Sequence, residues 1–159
     1  MLILELLLLL LAANGAPVLG SRLMGRVGNA PIDGGIKWRD GVRLLGGSKT
    51  WRGFIVGTAS CALLSALLGL GVAFGAVFGA LALLGDLISS FIKRRRRLAP
   101  SSRSTGLDQF PESFLPVLFG HFWLGYGWLT LVVTVALFML ANIMMSPLLY
   151  RLGIRKQPH

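Results

Sequence analysis

Apolar residues are concentrated in three long blocks, separated by segments rich in glycine, hydroxyl groups and charge. The blocks cover about 2–23, 54–92 and 114–150. Since a hydrocarbon core about 30 Å thick takes roughly 20 apolar residues per helix, the first block predicts one span and the others predict two each. The predicted spans are about 2–23, 54–69, 72–92, 113–125 and 128–150, with loops at 24–53 and 93–112. We therefore expect an all-α integral membrane protein, with five transmembrane helices and two functional cytoplasmic loops in a single membrane domain, 1–159.

The basic residues predict the orientation of these spans. All sixteen Lys and Arg residues fall in the segments 22–52, 93–103 and 151–156. Because Lys and Arg stay on the cytoplasmic side during insertion, we expect the N-terminus outside and the C-terminus in the cytoplasm, in the cell inner membrane. A cleaved signal peptide is the rival interpretation of residues 1–16, but that start carries no Lys or Arg, and Glu5 interrupts it.

Composition narrows the classes of partner. Of the 159 residues, 54% are hydrophobic and only 14% are charged, which is too little charge for a soluble domain of this size. The formal charge of +10 flanks apolar runs and forms no stripe on a soluble fold, so nucleic acid is not expected as a partner. Membrane lipids and anionic substrates fit this pattern better. A single cysteine, Cys61, leaves no disulfide framework within the chain.

The first predicted loop contains a candidate phosphate site around Gly46-Gly47-Ser48-Lys49-Thr50. Its spacing differs from that of a nucleotide-hydrolase P-loop, because two residues separate Gly46 from Lys49 and no strand precedes the loop. Backbone N–H groups exposed by the glycines, beside Lys49, Thr50 and Arg52, nevertheless suit a phosphate. The alternative is a solvated basic loop that only orients the protein.

A second candidate site lies at the end of the third span. Asp86 lies inside that span, where an unpaired carboxylate is costly and is by default a functional candidate. Four residues share its helix face, at spacings of three, four, seven and eight: Ser89, Ser90, Lys93 and Arg94. Asp108 supplies a second carboxylate, and two Asp with no nearby His or Cys favour Mg²⁺. The alternative is that Asp86 merely pairs with Lys93 or Arg94.

Taken together, these motifs resemble a known family. In chain order they are Asn14-x-x-Pro17, Pro31-x-Asp33-x-Gly35, Asp40-Gly41-x-Arg43-x-x-Gly46-x-x-Lys49-Thr50-x-x-Gly53, Gly85-Asp86-x-x-Ser89-Ser90-Phe91-x-Lys93-Arg94-Arg95 and Leu107-Asp108-Gln109. The combination resembles the CDP-archaeol synthase family, which is related to the phosphatidate cytidylyltransferases. The segment after Asp108 looks like a bacterial branch of it. The resemblance implies Mg²⁺-dependent transfer of CMP from CTP to a lipid phosphomonoester, giving a CDP-activated lipid and pyrophosphate.

The resemblance also implies roles for the candidate residues. Asp86 and Asp108 would hold the metal, while cations nearby would neutralise the triphosphate. The catalytic candidates are Asp86, Lys93, Arg94 and Asp108. The nucleotide-binding candidates are Asn14, Asp33, Asp40, Lys49, Thr50, Ser89 and Ser90.

Three alternatives stay open. The first is phosphatidate-type synthesis of CDP-diacylglycerol, with ester-linked chains on the lipid. The second is a CDP-alcohol phosphotransferase, since Asp40-Gly41-x-Arg43 resembles the start of its pattern, although no further acid occurs between Arg43 and Asp86. The third is a non-catalytic small membrane protein with basic cytoplasmic loops, which would leave Asp33 and Asp40 unexplained, because orientation needs only Lys and Arg.

Overall fold

The chain folds into five α-helices. A computed structural model describes residues 1–25, 27–98 and 106–151, and of 145–151 it describes the backbone. The helices are α1 (Leu2–Leu23), α2 (Trp51–Leu67), α3 (Val72–Arg95), α4 (Gln109–Leu124) and α5 (Trp128–Arg151). Apart from two isolated bridges, these ranges contain no β-structure, so the expected all-α class is confirmed. The linker 99–105 and basic residues beyond Arg151 lie outside the described residues.

Each predicted span falls on one helix, but several helix ends differ from the predicted ones. Helix α2 begins at Trp51, three residues before the predicted start, because the Thr50 hydroxyl accepts a hydrogen bond from the Gly53 N–H and caps the first turn. Helix α3 continues to Arg95, and α4 already begins at Gln109. Both loops are therefore shorter than 24–53 and 93–112.

Length and composition allow some of these helices to cross a membrane. Leu2–Leu23 and Val72–Arg95 are long and apolar enough to do so, whereas Trp51–Leu67 is apolar but shorter. In α5 the part with described side chains, Trp128–Met144, is apolar as well. Many large apolar side chains also face outward, among them Leu63, Leu129 and Val132. These features agree with a membrane protein, and the number of five spans stays a prediction.

The helices pack closely through glycine. Consecutive helices contact one another, and α1 also contacts α3 and α5. A Cβ placed on Gly57 would lie 2.7 Å from the Ala13 carbonyl oxygen, and one on Gly75 would lie 2.9 Å from the Ala62 Cα. Small residues let helix backbones approach in this way in lipid. The enclosed core is apolar and includes Leu6, Leu9, Leu10, Phe74, Phe78, Val117 and Phe138.

The segment between α1 and α2 folds back over one end of the bundle. Two isolated antiparallel bridges, Pro31 with Thr50 and Lys37 with Arg43, join distant residues of this segment. Because Thr50 also caps α2, the first bridge brings the start of this segment to the start of that helix. We call residues 24–50 the first loop from here on.

Candidate functional site

A cavity of about 380 Å³ lies where the first loop meets α1, α2 and α3. Its volume lies in the range of small-molecule sites. One part of its lining is polar: Asn14, Ser21, Asn29, Ser48, Lys49, Thr50, Arg52 and Asp86. The other part is apolar and includes Pro17, Val18, Ile32, Phe54, Leu83 and Leu87. The cavity therefore presents charge next to an apolar surface.

Two residues of the cavity lining, one in the first loop and one in α3, form an ion pair. Lys49 Nζ lies 2.5 Å from Asp86 Oδ2, and the two side chains are 23% and 27% exposed. The capping of α2 by Thr50 fixes the chain directly after Lys49, and Asp86 is carried by the rigid helix α3. The Asp86 carboxylate thus pairs with Lys49 of the first loop, in addition to sharing a helix face with Lys93 and Arg94.

A second ion pair connects α3 to the start of α4. Lys93 Nζ lies 2.6 Å from Asp108 Oδ1, and both side chains are largely covered. Ser89 supports this contact, since its Oγ lies 2.8 Å from the Leu107 carbonyl oxygen and is fully buried. The Ser89 hydroxyl therefore contacts the residue that precedes Asp108, lies 2.9 Å from the Gly85 carbonyl oxygen as well, and does not line this cavity.

The two pairs come together because α3 and α4 cross at Gly85. A Cβ on Gly85 would lie 2.6 Å from the Glu112 Cα and closer still to the Pro111 carbonyl. Glu112 interacts electrostatically with all four residues of the two ion pairs. The resulting charged cluster consists of the ion-paired Lys49, Asp86, Lys93 and Asp108, and the Glu112 carboxyl lies beside it. Among the described residues, no group of three or more His, Cys, Asp or Glu side chains is arranged to hold a metal ion.

Asp33 is buried within the first loop and does not line the cavity. It is 4% exposed and accepts hydrogen bonds from the N–H groups of Gly35, Leu45 and Gly46, and from Arg43. Burial alone would raise the pKa of Asp33, but these four donors together hold it well below its usual range.

Asp40 lies at the exposed tip of the same loop. Its Oδ1 accepts from the Val42 N–H at 3.0 Å and from Arg95 Nη1 at 2.6 Å. Desolvation opposes a lowered pKa, and the hydrogen bonds from Val42 and Arg95 outweigh it, so the pKa of Asp40 lies below its usual value. The Arg95 guanidinium also lies over the Trp38 ring, 5.9 Å from its centroid.

The structure thus divides the predicted site residues into three groups. Those lining the cavity are Asn14, Lys49, Thr50 and Asp86. Lys93 and Asp108 adjoin it through the charged cluster, whereas Ser89, Ser90 and Arg94 are buried within the bundle. Asp33 and Asp40 lie in the first loop, away from the lining. Their individual roles stay predictions.

Sequence reasoning missed one residue that shapes the site and left the role of another open. The missed residue is Arg95, which ties the first loop to α3 but stands in the sequence as one of four consecutive arginines. For Glu112 the sequence allows either capping of α4 or help in binding metal, and the structure places it one turn after Asp108, near the same helix end.

Comparison with known proteins supplies the family. A family model described as CarS-like, CDP-archaeol synthase, matches residues 1–76 and 67–159. A CDP-archaeol synthase of Thermococcus gammatolerans is 44% identical over 110 residues, which cover 61% of this chain and 60% of the relative. One from Methanosphaerula palustris is 36% identical over 141 residues, covering 78% of this chain and 81% of the relative. One from Halorubrum lacusprofundi is 35% identical over 157 residues, covering 82% and 84%.

The match to the Thermococcus relative spans about three fifths of that relative's length. These relatives are archaeal and give no support to a bacterial branch. A solved structure, described as an intramembrane enzyme for archaeal membrane lipids biosynthesis, matches with a TM-score of 0.70 and 30% identity. It covers 88% of this chain, and the match covers 89% of that structure. The fold is thus one known from within a membrane.

Proposed function

The chain belongs to the CDP-archaeol synthase family, and on that premise we propose that it is a membrane cytidylyltransferase acting on CTP and a lipid phosphomonoester. The observation that carries this proposal is the cavity in which Lys49 and Asp86 face apolar side chains such as Phe54 and Leu83. A nucleoside triphosphate and the phosphate of the lipid need the charged part of such a site, and the hydrocarbon chains of the lipid suit the apolar part.

The reaction needs positioning more than a strong base. An oxygen of the lipid phosphate attacks the α-phosphorus of CTP, a new P–O bond forms, and the bond between the α-phosphorus and the bridging oxygen breaks, releasing pyrophosphate. The attacking phosphate is already an anion, so catalysis depends on alignment and on neutralising the charge of the leaving group. In this proposal Lys49, Lys93 and Arg94 supply that positive charge, and Asn14 and Thr50 shape the nucleotide pocket.

The charged cluster fits a divalent cation by its donor chemistry. The side chains of Asp86 and Asp108 are 27% and 21% exposed, respectively, and each carboxylate has a lysine ammonium group within 2.6 Å. Carboxylate oxygens without His or Cys are the donors that Mg²⁺ prefers. Asp86 and Asp108 would therefore hold Mg²⁺, which when bound supplies positive charge beside the departing pyrophosphate.

The proposal includes a topology. Five spans with the N-terminus outside would put the first loop and the start of α4 in the cytoplasm, where CTP is available. The contacts of Lys49 with Asp86 and of Lys93 with Asp108 show that these parts share one end of the bundle. The positive-inside pattern supports the same side for all of them.

The test is a pyrophosphate-release assay with purified protein in detergent, CTP, Mg²⁺ and either an ether-linked or an ester-linked lipid phosphate. We expect turnover with the ether-linked lipid, and Asp86→Asn or Asp108→Asn should abolish it while elution volume and melting temperature are kept. Glu5→Gln is the matched control, because it is also an acid-to-amide change but lies in the first turn of α1, at the end of that helix away from the cavity. Preference for the ester-linked lipid would favour phosphatidate-type synthesis. Full activity in both Asn variants would refute the metal assignment.

A further inference from the structure

Four hydrogen bonds occupy the acceptor positions of the Asp33 carboxylate. Oδ1 accepts from the Gly35 N–H at 3.0 Å and from Arg43 Nη2 at 2.5 Å, and Oδ2 accepts from the Leu45 N–H at 3.1 Å and the Gly46 N–H at 3.0 Å. Two carboxylate oxygens offer about four lone-pair sites. A nucleotide could therefore contact this carboxylate only by displacing one of the donors that fold the loop.

The same hydrogen bonds continue to the cavity. Gly46, whose N–H is held by Asp33, accepts the Lys49 N–H with its carbonyl oxygen at 3.4 Å. Lys49 in turn lies 2.5 Å from Asp86. The φ of Gly46 is +99°, a conformation that favours glycine, so the chain turns here in a specific way. Two successive hydrogen bonds thus connect the buried carboxylate of Asp33 to the backbone of Lys49, and a third contact joins the Lys49 ammonium to Asp86.

Helix α3 holds the other side of this loop. Arg95 Nη1 donates to Asp40 at 2.6 Å, and Arg95 Nη2 donates to the Arg43 carbonyl oxygen at 2.8 Å. Arg43 is therefore fixed both by Asp33 through its side chain and by α3 through its backbone. The loop cannot shift relative to Asp86 without breaking several charge-assisted hydrogen bonds.

We propose that Asp33 is a positioning residue, which holds Lys49 over Asp86 for nucleotide binding and does not itself contact the nucleotide. This inference rests on the proposed function for its kinetic consequence. Its structural consequence, the placement of Lys49, does not depend on turnover.

The variant is Asp33→Asn, which keeps the shape of the side chain but turns an N–H₂ group toward donors. Lys37→Gln, at an exposed position of the same loop, is the control. Without substrate, the Lys49 amine should be acylated faster in Asp33→Asn than in wild type or Lys37→Gln, as measured by mass spectrometry of the Lys49 peptide. With substrates, the KM for CTP should rise about tenfold, while the KM for the lipid phosphate stays within about twofold.

Unchanged acylation of Lys49 in Asp33→Asn would overturn the proposal. A parallel rise in the KM for CTP and the KM for lipid would also overturn it, because a loop that merely loosens the cavity affects both substrates. If wild type shows no turnover with CTP, the proposed function fails, and the acylation rate still decides the role of Asp33. If Asp33→Asn does not fold, Gly46→Ala tests the same connection: a Cβ there has room, 3.9 Å from Arg94 Cδ, but the positive φ is strained. It should accelerate Lys49 acylation, and an unchanged rate would count against the proposal.

Discussion

The crossing of α3 and α4 at Gly85 predicts a large effect from adding one methyl group. In Gly85→Ala the new Cβ would meet the backbone of Pro111 and Glu112, at 2.6 Å from the Glu112 Cα, and no side-chain rotation can relieve a backbone clash. Overpacking of this kind costs about 1–3 kcal/mol. For a chain of this length that corresponds to a fall of roughly 2–12 °C in melting temperature.

The expected loss of activity is larger than the loss of stability suggests. Asp86 follows Gly85 directly, and Asp108 lies just before α4, so moving the helices apart separates the two carboxylates proposed to hold Mg²⁺. A misplacement of about 1 Å can cost about 10²-fold in rate. We therefore expect kcat for pyrophosphate release to fall about 10²-fold in Gly85→Ala protein that remains folded at the assay temperature.

Gly15→Ala is the control for this experiment. Gly15 lies inside α1, and a Cβ there would have no heavy atom within 4 Å. Alanine is the better helix former by up to about 1 kcal/mol, so the control should melt at the same temperature or slightly higher and keep full activity. Wild-type stability and turnover in Gly85→Ala would refute the close crossing and the geometry of the charged cluster derived from it.

Two further variants separate the site end of the bundle from the opposite end. Ser89→Ala leaves the Leu107 carbonyl without its 2.8 Å contact and should lower the free energy of unfolding by about 1–3 kcal/mol. Pyrophosphate release should fall as well, because Asp108 directly follows Leu107. Unchanged turnover would contradict the link between Ser89 and the placement of Asp108. Tyr126→Phe removes the 2.5 Å hydrogen bond to the Val117 carbonyl from a tyrosine hydroxyl that belongs to the turn between α4 and α5. Its melting temperature should drop by an amount corresponding to about 1 kcal/mol, with kcat and both KM values unchanged, and a change in KM would show that the two ends are coupled.

The helices were largely predictable because their signal is local. The first apolar block was expected at about 2–23, and α1 spans Leu2–Leu23. At the start of α2, where the observed end differs from the predicted one, a short-range contact is responsible, since the Thr50 side chain starts the helix at Trp51. Hydropathy sums over many residues and does not detect a single capping hydroxyl.

The candidate site was predictable as a set of residues but not as an arrangement. Lys49 and Asp86 were each singled out, yet their pairing spans 37 positions and depends on how the first loop folds back. Asp33 and Asp40 were assigned to the nucleotide pocket, and that assignment stays a prediction. Both accept a hydrogen bond from the N–H two residues later, at Gly35 and Val42. An Asp in a glycine-rich segment commonly makes this turn, so these two contacts could have been predicted from the sequence.

The aspartates differ in the type of cation they pair with, and this difference matches the two roles proposed for them, shaping the first loop and holding the metal. In the described part of the chain, Asp33 and Asp40 pair with arginines, whereas Asp86 and Asp108 pair with lysines. A guanidinium has a rigid fork of donors that can bind several acceptors at once, which suits it to building a loop. Arg95 does so, since it donates to Asp40 and to two backbone carbonyls.

An ammonium is a point charge on a flexible stem, and it can leave a carboxylate for a phosphate without unfolding anything. The arginine pairs are therefore expected to persist when nucleotide binds, and the lysine pairs are expected to exchange partners. Under the proposed function, the Asp33–Arg43 and Asp40–Arg95 pairs shape the first loop. The Lys49–Asp86 and Lys93–Asp108 pairs would keep the charged cluster balanced until the triphosphate took over the lysines and its metal took over the carboxylates.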